Sequence, residues 1–351
     1  MHKHLIVRAD ASTRIGIGHV MRCLALAQAW QDAGGHVAFV MCVEAPALKA
    51  RLTSQGMEVI HLSARPATRN DAVQTIGLAQ QMGASWVVVD GYHFGTKYQR
   101  IIKDAGLRLL FIDDTGHATR YCANIVLNQN AHAHEGMYAN REAYTRLLIG
   151  ARYVLLRREF SGYRDWKPEI PGKAERILVT MGGADPDNAT LKAIQALNLI
   201  GDPHLQARIV LGPSNSNIES LQNELSLSGF NFEILTSAKD MPGLMAWADV
   251  AVSAGGSTCW ELAFMGLPST VVVLAENQRN IAMRAQAVGM ALNLGWHEHL
   301  LTDHLSEVLT GLIQSPAQRR RMSQSGKALV DGNGAVRVAE RLRGQLNMGG
   351  V

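Results

Sequence analysis

The sequence predicts an α/β protein built from two tandem domains with parallel sheets, and three observations carry that expectation. Short runs rich in Val, Ile and Leu alternate with helical apolar spacing; the alternation breaks once near the middle of the chain; it then restarts. In the first half the runs are LIVRA (5–9), HVAFVMCV (36–43), MEVIHL (57–62), WVVVD (86–90), LRLLFID (107–113) and NIVLN (124–128). Near-continuous apolar runs are what strands buried on both faces of a parallel sheet show. After the first run, Val20, Cys23, Leu24, Ala27 and Trp30 share one helical face, and Gly34-Gly35 ends that helix. The break is SGYRDWKPEIPGK (161–173), with two prolines, two glycines and no apolar period. The expected domains are 1–162 and 175–351, joined by a linker over 163–174. The second half contributes RILVTM (176–181), ARIVLG (207–212), FEILTS (232–237), DVAVSA (249–254) and STVVVLA (269–275). The closing AVRVAERLRGQL is helical and compatible with packing on either domain. Open parallel sheets bind ligands beyond the carboxyl ends of their strands, so the expected active site is an interdomain cleft.

Composition narrows the function. The chain has 351 residues with 47% apolar, 18% charged and 6% aromatic side chains, enough for two medium cores. No stretch reaches the roughly 20 apolar residues of a spanning helix, and Arg8 interrupts the N-terminal MHKHLIVRAD, so neither a membrane segment nor a signal peptide is expected. Cys23, Cys42, Cys122 and Cys259 lie far apart without C-x-x-C spacing, which reads as buried thiols in a reducing compartment and points to the cytoplasm. The net charge of +4 is spread along the chain, apart from Arg319-Arg320-Arg321 on what reads as an exposed helix. Such a distribution suits a small anionic ligand, not nucleic acid, and a monomer is the favoured state.

Three strand-to-helix turns carry glycines. RADASTRIGIGHVMRC (8–23) places Gly16 and Gly18 between the first strand and its helix. A dinucleotide-binding G-x-G-x-x-G turn would need glycine where Met21 stands, so that reading fails. The two glycines let a ligand approach the backbone, and His19 falls in the first helical turn. The positive end of the helix dipole disfavours an imidazolium there, and a neutral imidazole is what a general base requires. The position equally suits a histidine that caps the helix or packs on the sheet. Arg14, in the same loop, can reach an anionic group or stay solvated.

VTMGGADPDNATLKAI (179–194) repeats the pattern with Gly182 and Gly183, and Asp187 or Asn188 is the expected N-cap. VSAGGSTCWELAFMG (252–266) repeats it again. There Gly255 and Gly256 precede Ser257 and Thr258, whose amides and hydroxyls at a helix start suit a diphosphate. Glu261, one turn on, can accept from the two vicinal hydroxyls of a ribose or serve as a surface carboxylate near a helix start. AENQRNIAM (275–283) offers Glu276, Asn277 and Gln278 to sugar hydroxyls or phosphate, or as a plain helix cap. No turn carries G-K-[ST], so nothing is expected to grip a γ-phosphate. Asp90-Gly91-Tyr92-His93, Asp113-Asp114 and Asn128-Gln129-Asn130 stand at the remaining strand ends as candidate sugar-reading groups. Adjacent aspartates point to opposite sides of a strand, and His132 and His134 with Glu135 lie in a loop without further ligands, so neither a metal nor a cofactor is expected.

Taken together, R-x-D-A-S-x-x-I-G-x-G-H-x-x-R (8–22), D-G-Y (90–92), I-D-D (112–114), LNQN (127–130), L-R-R-E-F (156–160), M-G-G-x-D (181–185), S-A-G-G-S-T-x-x-E (253–261) and E-N-Q (276–278) resemble one family. It is the UDP-2,4-diacetamido-2,4,6-trideoxy-β-L-altropyranose hydrolases of pseudaminic acid biosynthesis, and the likeness runs from about residue 4 to about residue 290. The resemblance implies two Rossmann-like domains in the glycosyltransferase-B fold. It implies that His19 matches the catalytic base, Glu261 the carboxylate holding the ribose and Asn277 a residue of the nucleotide-sugar site. Gly255-Gly256 departs toward the related enzyme that adds N-acetylglucosamine to lipid-linked muropeptide, since some hydrolases carry serines there.

The expected site is therefore His19 as base, with Arg14, Gly16, Gly18, Asp90, Tyr92 and Asn128 on the sugar. Gly182, Gly183, Gly256, Ser257, Thr258, Glu261, Asn277 and Gln278 are expected on UDP. The reaction the resemblance implies is hydrolysis of the anomeric C–O bond, with UDP and the free sugar as products. A single base opposite the leaving group predicts inversion. The rivals are a glycosyltransferase using an acceptor hydroxyl, a hydrolysing 2-epimerase, a non-catalytic nucleotide-sugar-binding module, and a dinucleotide-binding protein using Glu44.

Overall fold

The computed structural model describes residues 4–11, 16–183, 185–212, 215–236 and 238–347. The chain divides into two compact units, one formed by Met1–Arg158 with Gly332–Val351 and the other by Glu159–Asp331. Each is a parallel α/β sheet, as the apolar runs predict.

The first unit begins with β1 (His4–Ala9), α1 (Gly18–Asp32), β2 (His36–Met41), α2 (Pro46–Ser54), β3 (Glu58–His61) and α3 (Arg69–Gln81). It continues through β4 (Ala84–Asp90), α4 (Thr96–Asp104), β5 (Arg108–Ile112), β6 (Ile125–Asn128) and β7 (Arg146–Ile149). The strand order is β3-β2-β1-β4-β5-β6-β7, every pair parallel. Alternation along β1 sorts its side chains: Leu5, Val7 and Ala9 join the core under α1, while Ile6 joins the core under α3 and α4. Arg8 shares the second face, fully buried, where Asp71 of α3 and Asp10 neutralise it at 2.8 and 2.7 Å. The sequence of α1 is Ala- and Leu-rich and is buried on nearly every side, so it is an interior helix. It stops at Gly34, whose φ of +80° favours glycine, and a side chain at Gly35 would collide with the Trp30 indole.

The second unit runs β8 (Arg176–Thr180), α5 (Ala189–Ile200), β9 (Gln206–Leu211), α6 (Ile218–Leu225), β10 (Asn231–Thr236), α7 (Met241–Trp247) and β11 (Val250–Ala254). It closes with α8 (Thr258–Met265), β12 (Ser269–Val273), α9 (Arg279–Ala287), β13 (Ala291–Trp296), α10 (Thr302–Gln314) and α11 (Pro316–Leu329). Its strand order is β10-β9-β8-β11-β12-β13, again all parallel. Two strands escaped the apolar-run pattern, β7 and β13. Both are sheet edges whose residues are mostly half-buried or exposed, which weakens the apolar signal.

Residues 334–347 form α12, which returns to the first unit and lies on α1. Ala335, Val338, Ala339 and Leu342 enter the same core as Val20 and Leu24. The Trp86 indole N–H donates to the Leu342 carbonyl at 3.0 Å. Gly334 sits against the backbone of Tyr153 and Val154, where any Cβ would clash.

Arg319 corrects one expectation. It is fully buried, unlike its exposed neighbours Arg320 and Arg321. Its guanidinium donates to the carbonyls of Leu312 and Ile313 at the end of α10, and to those of Pro171 and Gly172 in the segment leading to β8. A cation at a helix C-terminus satisfies carbonyls that have no partner within the helix. Lys327 adds a bond to the Trp166 carbonyl, so the 163–174 segment is strapped to α10 and α11. Arg319→Met is expected to lower stability by about 2–4 kcal/mol, because four carbonyls lose a charged donor. The measurement is urea unfolding, and an unchanged midpoint would show that the clamp is dispensable.

Candidate functional site

The order of the first sheet reverses between β1 and β4, the place where open α/β sheets bind ligands. Three segments meet there: the turn after β1, the start of α1 and the end of β4. Gly16 takes a φ of +76°, and among the described residues a Cβ at Gly16 or Gly18 would meet nothing within 4 Å. Arg14 lies outside the described residues.

His19 and Arg22 are three residues apart on α1 and point the same way. His19 is 6% exposed, and its Nδ1 lies 2.7 Å from Asp90 Oδ1 at the end of β4. Arg22 grips both oxygens of Asp90, Nε to Oδ2 at 2.6 Å and Nη2 to Oδ1 at 2.7 Å. An ionised carboxylate cannot donate, so the imidazole proton on this edge sits on Nδ1, and in the neutral ring Nε2 then carries the lone pair. Arg22 Nη2 also lies 3.1 Å from Nδ1, because both donors converge on the same Asp90 oxygen. Burial by itself pushes the Asp90 carboxyl up, but the Arg22 guanidinium and the His19 ring outweigh it and hold the group well below the usual carboxylate range.

Arg22 is shared. Its Nη1 donates to Asp114 Oδ2 at 2.5 Å, and Asp114 Oδ1 accepts from Asn130 Nδ2 at 2.6 Å. Asn128 Oδ1 accepts from the amide and side chain of Asn130 at 3.0 and 2.9 Å. The Tyr92 hydroxyl donates to Asp114 Oδ2 at 3.0 Å, and its ring stands edge-on to His19 at a centroid distance of 4.7 Å. Two sequence expectations change here. Asp90 and Asn128, expected at the sugar, are fully buried with their polar atoms engaged by other side chains of the cluster. Tyr92 is 37% exposed and keeps a face for a ligand. Arg22 is a site residue that the sequence reading does not include, and its three-residue spacing from His19 is the signal that marks it.

Behind this cluster Asp113 organises the next loop. Its Oδ1 accepts from the amides of Thr115 and Gly116 and from His117 Nδ1, and its Oδ2 accepts from the Tyr121 hydroxyl. His117 Nε2 lies 2.7 Å from the Phe94 carbonyl, so both ring nitrogens face acceptors. Burial lowers the pKa of this ring, but Asp113 and the Phe94 carbonyl outweigh it and raise it above the ordinary 6.5.

The second sheet reverses between β8 and β11, and both expected glycine turns stand at that point. They are not equivalent. After β8, Gly182 takes a φ of +91° and the Gly183 backbone packs so closely on Gly212 that no Cβ fits at Gly212. The start of α5 is then filled by a carboxylate: buried Asp185 accepts from the amides of Ala189 and Thr190 at 2.8 and 3.0 Å. Asn188 is the N-cap residue, one of the two expected, but its side chain makes no cap; the capping carboxylate is Asp185, so an anion already occupies this helix start. After β11 the chain enters α8 through Ser257 with no side-chain cap. Gly256, Ser257 and Thr258 are half-buried, and a Cβ at Gly256 would meet nothing within 4 Å. Glu261 is half-buried in the first turn of α8. Gln278 supports the neighbouring strand end, accepting from the Leu274 amide at 2.9 Å and packing on Gly255, while Asn277 is exposed.

Residues 176–341 match the glycosyltransferase family 28 C-terminal domain. The resemblance read from the motifs is found again in whole-chain comparison. The UDP-2,4-diacetamido-2,4,6-trideoxy-β-L-altropyranose hydrolase of Campylobacter jejuni is 24% identical over 79% of this chain and 94% of its own. The spore coat polysaccharide biosynthesis protein SpsG of Bacillus subtilis is 26% identical over 67% of this chain and 68% of its own. An uncharacterized protein of Methanocaldococcus jannaschii is 26% identical over 78% of this chain, which spans only 56% of that protein. Among solved structures, MurG of Acinetobacter baumannii aligns with a TM-score of 0.67 at 16% identity, covering 97% of this chain and 99% of that one. The UDP complex of S. aureus MnaA aligns at 0.68 and 13% identity, covering 99% and 97%. These likenesses establish the glycosyltransferase-B fold that the motifs imply. Among the described residues no helix is long and apolar enough to cross a membrane.

A raised His117 pKa means that its tie to Asp113 contributes stability fully below the ordinary histidine value and loses it as pH rises through the higher folded value. Asp113→Asn removes the dominant raising partner. The His117 midpoint, followed by NMR titration of the ring, is expected to fall in that variant; an unmoved midpoint would refute the pairing.

Proposed function

We propose that the chain is a UDP-sugar hydrolase that cleaves the anomeric C–O bond, with inversion, and releases UDP and the free sugar. The observation that carries the reading is the 2.7 Å pairing of His19 Nδ1 with Asp90 at the first sheet's reversal point. In the neutral ring it leaves Nε2 as a proton acceptor at the helix start that follows Gly16 and Gly18, the arrangement a general base for water requires. The surrounding charges favour that role. With a neutral imidazole the buried cluster holds one cation, Arg22, against two carboxylates, Asp90 and Asp114. A proton arriving on His19 supplies the missing positive charge, so the state formed as water is deprotonated is the better compensated one.

The second unit supplies the nucleotide half of the reading. The uncapped start of α8, with Gly256, Ser257 and Thr258, suits the diphosphate and stabilises the charge that accumulates on UDP as the bond breaks. Glu261 accepts from the ribose hydroxyls, and Asn277 and Gln278 border the same strand end. In the first unit, Tyr92 and the Gly16–Gly18 turn face the sugar. The substrate is UDP-2,4-diacetamido-2,4,6-trideoxy-β-L-altropyranose, a reading supported by the name of the Campylobacter relative and the order of the shared motifs. A glycosyltransferase remains the second reading, favoured by the match of residues 176–341 to a transferase domain.

Incubation with the UDP-sugar in ¹⁸O water and no acceptor separates them. Hydrolysis at carbon puts label in the free sugar; label in UDP, or no turnover until an acceptor alcohol is added, would overturn the proposal. His19→Asn is expected to lower turnover by about 10²–10⁴ with little change in nucleotide-sugar affinity. Equal turnover would remove the base role. For Glu261→Ala the expected loss is in UDP affinity, and calorimetry giving the wild-type value would exclude a ribose contact.

A further inference from the structure

We propose that Arg22 and Asp114 are positioning residues for His19. Arg22, pinned from behind by Asp114, fixes the Asp90 carboxylate, which holds the imidazole with Nδ1 protonated and Nε2 bearing the lone pair. This deepens the hydrolytic reading and rests on it for the turnover part of its test.

The terminal torsion of an aspartate is soft, so a carboxylate that touched only an imidazole would set the ring plane poorly. Asp90 is not left so. The planar guanidinium of Arg22 engages both oxygens at 2.6 and 2.7 Å, a two-point contact that fixes the carboxylate plane. The Cys23 thiol adds only a weak contact to Oδ2 at 3.4 Å. An arginine is itself long and flexible, and a fork anchored at one end would swing. Here the third nitrogen is tied 2.5 Å from Asp114 Oδ2, and Asp114 is held by Asn130 at 2.6 Å and Tyr92 at 3.0 Å. The chain of contacts therefore links α1, the end of β4 and the loops after β5 and β6 through one buried cation. Side-chain exposure of Arg22 is 7% and that of Asp90 is 0%, so water does not compete for these bonds.

A lysine at 22 keeps the charge and loses the fork, which separates geometry from electrostatics. Arg22→Lys is expected to lower kcat by about 10- to 100-fold with KM within about twofold, the signature of a misplaced base and not of a lost substrate contact. In Arg22→Ala, added guanidinium is expected to restore part of the lost turnover. The ¹⁵N pattern of the His19 ring in the free protein supplies the independent reading: Nδ1–H alone in the wild type, a mixture of tautomers in either variant. A folded Arg22→Lys with wild-type kcat and an unchanged ring pattern would overturn the proposal. Should both Arg22 variants fail to fold, Asp114→Asn preserves shape and is expected to give the same kcat loss and mixed ring pattern; wild-type values for both would overturn it equally. If the wild type hydrolyses no UDP-sugar, the hydrolytic reading fails and the ring pattern alone decides the positioning role.

Discussion

One buried guanidinium organises the carboxyl end of the first unit's sheet. Taking Arg22, Asp90 and Asp114 out of water is costly, and the cost is offset only if every charge finds short, well-aligned partners. That demand ties together elements that the sheet alone would leave independent: the first turn of α1, the end of β4 and two later loops. The histidine that does the proposed chemistry is a passenger on this arrangement. Its Nδ1 joins an oxygen that Arg22 has already oriented.

The two units solve the same topological problem in opposite ways. Each sheet reverses order at its middle strands, and each reversal is followed by glycines and a helix start. In the first unit the helix start carries a histidine, and the charged Arg22 sits one turn deeper. In the second, one helix start is closed by the unit's own carboxylate, Asp185, and the adjacent one is left uncapped at Ser257. An anion-binding helix start and a self-capped one read alike as strings of Gly, Asp, Ser and Thr. They differ in whether a side chain folds back on the amides, and Asp185 does so from a backbone with φ of +44°. A left-handed aspartate is not a preference that residue type alone announces.

Much of the fold was readable from the chain because strands of parallel sheets advertise themselves as apolar runs, and eleven strands did so, the exposed edges β3 and β10 among them, while the edges β7 and β13 did not. At the site, residue type and local spacing single out His19, Tyr92 and the α8 turn, which the structure places beside the two sheet reversals. They do not reveal that Asp90 and Asn128 are buried against other side chains, since a polar residue at a strand end looks the same whether it meets solvent or a neighbouring side chain. Arg22 and Asp114 are 92 residues apart and become partners only through the order of the strands. Arg319 shows the same limit: beside two exposed arginines it reads as solvated, yet it is the one with carbonyls around it.

The return of α12 to the first unit has a consequence for how the protein is made. The Trp86 indole and its carbonyl partner on Leu342 are separated by 256 positions, and the face of α1 that bears Val20 and Leu24 is covered by side chains beyond residue 334. During synthesis that greasy strip stays bare while the whole intervening unit emerges, the period in which half-finished chains stick to one another. A premature stop upstream of Gly334 would therefore leave the Arg22 cluster on a body with an unclosed seam, a natural client for chaperones and proteases.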